Sequence, residues 1–403
     1  MKQRIYIIIL FFFIQGVIHN LGHPVTPAFV RGLEIPDYMF GVFFSAMSLG
    51  LMIGGPIWGV LGDRGHQRLY AMLGLTIYSI AQFFFGYIGS SFWMVVFRLI
   101  AGLGVVSALT IMTGQLIAYS NLKDRAKHLA YAAAASTLGA SLGYFLGGFL
   151  SKNPFMISLL GTSDLRAIFL IQALLNMGYV GLIYVLYQED TMDPKRPLPQ
   201  TSMMDSLKSL TKIDKSLLIF LISLTFMTIG SINLSKYVDV YFDELGYDPQ
   251  QLGTYVMVTG IVSLIASIFL VPMFAKVKRQ LSFIGLSHVI ASIIIFYVFR
   301  GSNFLLMMYT IYMFYVVIRT IYTPLEQSYI AKNILPGQYG ATMGLRQSFV
   351  SFGMVVGPLI GGFVYDQKPL WLFDFSAIAF LVGVLLLFGV YLLETGLNKK
   401  RNI

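Results

Sequence analysis

The chain has 403 residues, 57% of them hydrophobic and only 11% charged, with a mean hydropathy of +0.74. Soluble domains carry roughly 25% charged residues, so the composition excludes a large soluble core and points to a polytopic protein embedded in lipid. Cysteine is absent, which excludes disulfides, zinc-thiolate sites and iron–sulfur clusters.

Met1-Lys2-Gln3-Arg4 precedes an apolar run that is longer than a signal-peptide core and is followed by no small-residue cleavage site, so it reads as a first transmembrane helix. A helix crosses the hydrocarbon core in about 20 apolar residues. On that measure the runs predict spans near 5–30, 38–61, 70–88, 91–119, 128–150 and 166–187. A second set follows near 216–240, 250–275, 281–300, 303–331, 339–364 and 371–393. The long polar segment 188–214 separates them, giving an N-terminal six-helix bundle (1–187), a cytoplasmic linker (188–214) and a C-terminal six-helix bundle with a short cytoplasmic tail (215–403).

With the N-terminus inside, 19 lysines and arginines fall in segments on the cytoplasmic side and 6 on the other. That is the bias of the positive-inside rule. Both termini are therefore expected in the cytoplasm, and the net charge of +10 reads as a topology signal, not as a nucleic-acid surface.

Glycines four apart, 50 and 54, then 55 and 59, lie along the second predicted helix, where they let a neighbouring backbone approach. This helix runs into Gly62-Asp63-Arg64-Gly65-His66-Gln67-Arg68, a compact charged turn. A further ladder, Gly139, Gly143, Gly147 and Gly148 in the fifth helix, returns as Gly353, Gly357, Pro358, Gly361 and Gly362 in the eleventh. Repeated halves around a midplane site mark secondary transporters.

These segments resemble the major facilitator superfamily, and within it the twelve-helix drug:proton antiporter branch. The loop motif of that family stands as Gly59-Val-Leu-Gly-Asp63-Arg64-Gly65-His66-Gln67-Arg68, with His66 and Gln67 in place of its second glycine and first basic residue. Its fourth-helix motif is present as Arg98-Leu-Ile-Ala-Gly102-Leu-Gly104. The fifth-helix antiporter motif has Tyr144 where the family has proline, and its complete form lies at Gly353 to Gly362. The resemblance implies an all-α membrane protein of twelve transmembrane helices in two pseudo-symmetric six-helix bundles. It also implies that Gly59, Asp63, Arg64 and Arg68 form a gate between the halves and that Arg98 serves proton transfer or a proton-linked network.

Other candidates come from the residues themselves. Arg319 and Glu326 are seven apart on the tenth helix and so share a face. Glu326 can pair with Arg319 or with Arg346 of the eleventh helix, either as a proton-coupling site or as a permanent ion pair. His19 and His23, four apart and with Asn20 between them, are expected on one helix face, lining a cavity or satisfying a helix contact. No carboxylate joins them at ligand spacing, so no metal site is expected. Gln115, Asn233, Tyr237 and Asp239 add polar groups to helices four and seven, which line the cavity in such a fold.

No phosphate-binding Gly-x-x-x-x-Gly-Lys-Ser/Thr loop occurs, so no nucleotide cofactor is expected and an ion gradient, most simply of protons, supplies the energy. The expectation is a monomeric, non-enzymatic exporter of hydrophobic or amphiphilic small molecules in the cell membrane, in contact with lipids and protons. A lipid or glycolipid flippase, or a nutrient or sugar transporter, is the alternative on the same fold.

Overall fold

A computed structural model describes residues 2–121, 124–154, 157–158, 164–187, 215–274, 277, 279–332 and 339–401. The expected linker 188–214 lies outside them. Twelve helices are long and apolar enough to cross a membrane, and no strand occurs among the described residues. They are α1 (Lys2–Asn20), α2 (Tyr38–Asp63), α3 (Gln67–Tyr87), α4 (Ser91–Tyr119), α5 (Arg125–Lys152) and α6 (Arg166–Leu186). After the linker come α7 (Lys215–Glu244), α8 (Pro249–Ile265), α9 (Gln280–Val298), α10 (Ile311–Lys332), α11 (Tyr339–Gln367) and α12 (Pro369–Arg401). A π-helical turn, Ala266–Leu270, extends α8 into Val271–Phe274, and the short helix Phe304–Tyr309 leads into α10.

Local chemistry sets the breaks. The first apolar run does not cross as one helix: Gly22 and Pro24 follow Asn20, and the chain turns before a short helix, Thr26–Arg31, with proline in its first turn. Helix α7 stops at Gly246, whose φ of 80° only glycine takes without strain. There the amides of Gly246 and Tyr247 reach back to the carbonyls of Asp243 and Phe242, capping the helix end. At once α8 begins with a reciprocal cap: the Gln251 amide donates to Asp248 Oδ1 (2.9 Å) and the Asp248 amide to Gln251 Oε1 (3.0 Å), with Pro249 at the first helical position.

The chain divides into two compact units, Met1–Leu198 with Val238–Ile261, and Pro199–Tyr237 with Val262–Ile403. In the first unit α1 packs on α5, α2 on α4, and α3 on α4 and α6. In the second, α9 packs on α12 and α10, and α11 on α12. Large apolar side chains such as Phe92, Val185, Phe269, Phe314 and Leu385 are exposed on helix faces, as lipid contact requires.

Glycine makes the closest contacts. A Cβ built on Gly139, Gly143 or Gly147 of α5 would lie 2.2, 2.2 and 1.9 Å from the carbonyl oxygens of Phe13, Val17 and Leu21 in and just after α1. On α2, a Cβ at Gly50 would come within 2.2 Å of the Leu99 oxygen, and at Gly54 within 2.9 Å of the Leu103 oxygen of α4. Gly55 and Gly59, by contrast, meet only side-chain methyls at 4.0 and 3.6 Å, so the first of the two predicted pairs is the packed one. The equivalent ladder on α11 is looser: Gly353, Gly357 and Gly361 face Thr225, Thr228, Ile229, Ile232 and Asn233 of α7 at 2.6–3.4 Å.

We expect Gly143→Ala to destabilise the detergent-solubilised protein by about 1–3 kcal/mol, the usual penalty for overpacking. Gly178→Ala, where a Cβ meets nothing within 4 Å, serves as the control and is expected to leave thermal unfolding unchanged or slightly raised. Equal unfolding temperatures for the two variants would remove the backbone-contact role of the ladder.

Candidate functional site

The charged turn after α2 is built by two left-handed residues, Gly65 (φ 105°) and His66 (φ 52°), which reverse the chain within three residues. Asp63 and Arg64 are exposed there, and among the described residues no ion pair joins Asp63. The turn is fastened by neutral groups. Gln67 Nε2 donates to the Gly62 carbonyl (3.1 Å), and Gln115 of α4 donates its amide to Gln67 Oε1. Gln115, expected among cavity groups, thus also supports this turn. Arg68 turns to α6, where it donates to the Tyr184 carbonyl (3.3 Å) and lies 5.3 Å above the Tyr184 ring. Trp58 ties α2 to α4 through the Leu103 carbonyl (2.7 Å).

His19 and His23 do not share a helix face, because α1 ends at Asn20 and the four-residue spacing spans the turn. His19 Nε2 bonds Asn176 Oδ1 of α6 (2.9 Å), and its ring lies against Tyr78 of α3. Asn20 bonds back to the Gly16 carbonyl (2.8 Å). His23 stacks on Tyr144 of α5, with ring centroids 5.3 Å apart and planes 9° from parallel. Around His19 runs a buried neutral network that the sequence reading did not single out. Asn176 donates to Ser79 (2.7 Å) and the Leu75 carbonyl (2.8 Å); Gln172 donates to the carbonyls of Ile18 and His19 and accepts from Gln82 (2.8 Å). The signal was present: Gln172 and Asn176 are polar residues one turn apart in a span, where such groups seldom face lipid.

Arg98 is buried, 5% exposed, with its guanidinium 3.7 Å from the centre of the Phe85 ring. Its Nε has no hydrogen-bond partner among the described residues. The aromatic face therefore supplies part of the stabilisation a carboxylate would otherwise give.

In the second unit Glu326 of α10 is 1% exposed and pairs with Arg346 of α11. Arg346 Nε reaches both carboxylate oxygens at 2.9 and 3.1 Å, and Nη2 adds a further bond to Oε1. Of the two partners open to Glu326 in the sequence, this is the one bonded; Arg319 is exposed and makes no bond to Glu326 among the described residues. Pro324 lies inside the same helix, two residues before Glu326.

The three polar residues of α7 face different neighbours. Asn233 is fully buried against Gly361. Tyr237 donates to the Pro358 carbonyl of α11 (3.0 Å) and packs on Tyr365. Asp239, six residues along from Asn233 and beyond the unit boundary, accepts from the Tyr144 hydroxyl of α5 (2.7 Å). Among the described residues no group of three or more His, Asp or Glu side chains is placed to hold a metal.

A family model described as Major Facilitator Superfamily matches residues 5–334. The chain is 24% identical over 397 residues to quinolone resistance protein NorA of Staphylococcus aureus (strain MSSA476), covering 96% of this chain and 97% of the relative. It is 22% identical over 371 residues to multidrug resistance protein 2 of Bacillus subtilis (strain 168), covering 90% and 88%. Among solved structures, a bacterial homolog of the human lysosomal transporter Spinster matches at a TM-score of 0.72 with 14% identity, over 96% of this chain and 95% of that one. The nucleoside transporter NupG matches at the same TM-score and identity, over 96% and 99%. Twelve apolar spans, a buried ion pair deep in two of them and a family match over most of the length lead to one assignment: the chain belongs to the Major Facilitator Superfamily and is a multi-pass membrane transporter, not an enzyme.

Proposed function

We propose that this transporter exports hydrophobic or amphiphilic small molecules across the cell membrane in exchange for protons. The observation that carries the reading is the Glu326–Arg346 pair, a carboxylate 1% exposed inside a membrane helix and bonded to a single guanidinium. A proton binding to Glu326 neutralises the carboxylate and removes the charge that holds Arg346. Breaking a buried pair costs about 3–5 kcal/mol, so protonation of Glu326 weakens the tie between the two helices. Proton uptake at this point thus becomes displacement of α11 against α10.

The cargo class is supported by two considerations. The long relatives are named for quinolone and multidrug resistance, and the chain places few fixed charges inside its spans, which suits compounds that enter from lipid. Alternating access would come from rocking of the halves 1–187 and 215–403 about a midplane site, with both termini in the cytoplasm and the protein acting as a monomer.

Purified protein in liposomes, offered a panel of lipophilic dyes with and without an imposed pH gradient, is the direct test. Dye movement that follows the gradient supports the reading, and movement indifferent to it ends proton coupling. Glu326→Gln is expected to abolish gradient-driven accumulation while leaving downhill dye movement in place; a variant with the pH dependence of the parent protein would remove Glu326 from coupling.

Asp63 makes no ion pair within the described residues, so its carboxylate is available to a helix presented to it at another stage of the cycle. We therefore expect Asp63→Asn to abolish transport with a change in stability of about 0–1 kcal/mol, the range for an exposed charge. Unimpaired transport by this variant would dismiss the gate role of the turn.

A further inference from the structure

Inside the second unit, the seam between α7 and α11 encloses an amide in an unusual position. Asn233 is fully buried, and neither its Oδ1 nor its Nδ2 has a hydrogen-bond partner among the described residues. Such a group has lost its hydration without a replacement, the costliest arrangement open to a neutral side chain. Buried polar groups are nearly always bonded, so an exception calls for a cause.

The residues on either side along the same seam are bonded. About two turns earlier Thr225 donates to the Phe349 carbonyl of α11 (3.2 Å), and one turn later Tyr237 donates to the Pro358 carbonyl (3.0 Å). Pro358 lies inside α11 and has no N–H, so the Met354 carbonyl one turn before it lacks its usual helical donor. An amide without an acceptor and an acceptor without its donor thus share one stretch of the seam.

The packing around Asn233 is loose for a glycine ladder. A Cβ on Gly361 would lie 2.6 Å from Asn233 Oδ1 and one on Gly357 2.9 Å from Ile232, so these glycines meet side chains. Their counterparts on α5 meet backbone carbonyls at 1.9–2.2 Å. In that first-unit ladder the place opposite Gly147, the counterpart of Gly361, belongs to Leu21. One half of the repeat therefore has an aliphatic residue where the other has an amide.

We infer that Asn233 is a spring set into the α7–α11 seam: its unsatisfied amide weakens the closed seam and gains partners when the seam opens, which leaves α11 free to move. Those partners are the Met354 carbonyl for Nδ2 and entering water for both amide atoms. Because α11 also carries Arg346, the partner of Glu326, Asn233 acts on that ion pair through the helix, as a positioning residue. The inference rests on the transport reading above, since a helix kept ready to move serves a protein that changes shape.

The test reads the signs of two neighbouring substitutions. Leucine is close to asparagine in size and needs no partner. Asn233→Leu is therefore expected to raise the unfolding temperature of the detergent-solubilised protein. It is also expected to slow dye movement in liposomes roughly tenfold, with or without a pH gradient, as the conversion of one unsatisfied buried group into a rate. Tyr237→Phe removes a bond that the closed seam makes, and is expected to lower the unfolding temperature. A residue that merely fills space in the seam would give a loss of stability in both.

A second arm needs no cargo. Ile229 is buried in the seam against Gly357, and the chain has no native cysteine. The rate at which I229C reacts with a small methanethiosulfonate reagent thus reports opening. In that background Asn233→Leu is expected to slow the reaction roughly tenfold and Tyr237→Phe to speed it roughly threefold. Asn233→Met, whose unbranched chain adapts to the available space, is measured alongside and is expected to give the same signs as leucine. A lower unfolding temperature in both apolar variants, an unchanged labelling rate in both, or transport at the parent rate by a stabilised variant would overturn the spring. A parent protein that moves no dye, with labelling that still shifts in opposite directions, would sink the transport reading alone.

Discussion

Helices in hydrocarbon gain little by hiding apolar surface from one another, because lipid tails hide it equally well. What holds this protein together has to be contact that lipid cannot reproduce, and the closest such contact is backbone against backbone. On α5 the glycines at 139, 143 and 147 give up their side chains so that three successive carbonyl groups of α1 and its continuation can sit directly on the helix. The same arrangement joins α2 to α4 at Gly50 and Gly102. Each removes a possible lipid contact and replaces it with dense dispersion contact that depends on distance steeply. The positions of α1, α2, α4 and α5, and hence of every polar group they carry, follow from it.

Polar groups inside the spans obey a second constraint, since none can be left to lipid. The first unit meets it mostly with neutral side chains: His19, Asn176, Ser79, Gln172, Gln82 and Tyr78 bond one another and nearby carbonyls. The buried cation Arg98 rests on an aromatic ring. The second unit uses opposite charges in Glu326 and Arg346. The two units therefore meet one constraint with different chemistry, a mostly uncharged network in the first and an ion pair in the second.

Much of this was legible from the residues. Span positions followed from hydropathy alone, since twelve apolar runs left no other arrangement. Two glycine pairs were legible on α2, of which Gly50 and Gly54 are the packed one, and Glu326 was legible as the partner of Arg319 or Arg346, of which the structure bonds Arg346. The failures have physical causes. His19 and His23 were placed on one face by helical spacing, but Gly22 and Pro24 end the helix between them. The bond of Gln115 to Gln67 was not legible either, because how far α4 reaches toward the charged turn is a distance no periodicity encodes. The partnership of Tyr144 with Asp239, 95 residues apart, and of Arg31 with Asp243, 212 apart, is a property of tertiary packing only.

The start of α8 carries a consequence of its own. Asp248 has two duties: one oxygen receives the Gln251 amide and the other the Lys152 ammonium. The Gln251 side chain returns the favour to the Asp248 amide, so the opening turn of the helix closes on itself. Withdrawal of the lysine therefore exposes one carboxylate oxygen to water and unravels nothing. The start of the helix thus owes its fold to its own residues, and the ion pair adds a tether without adding to that fold.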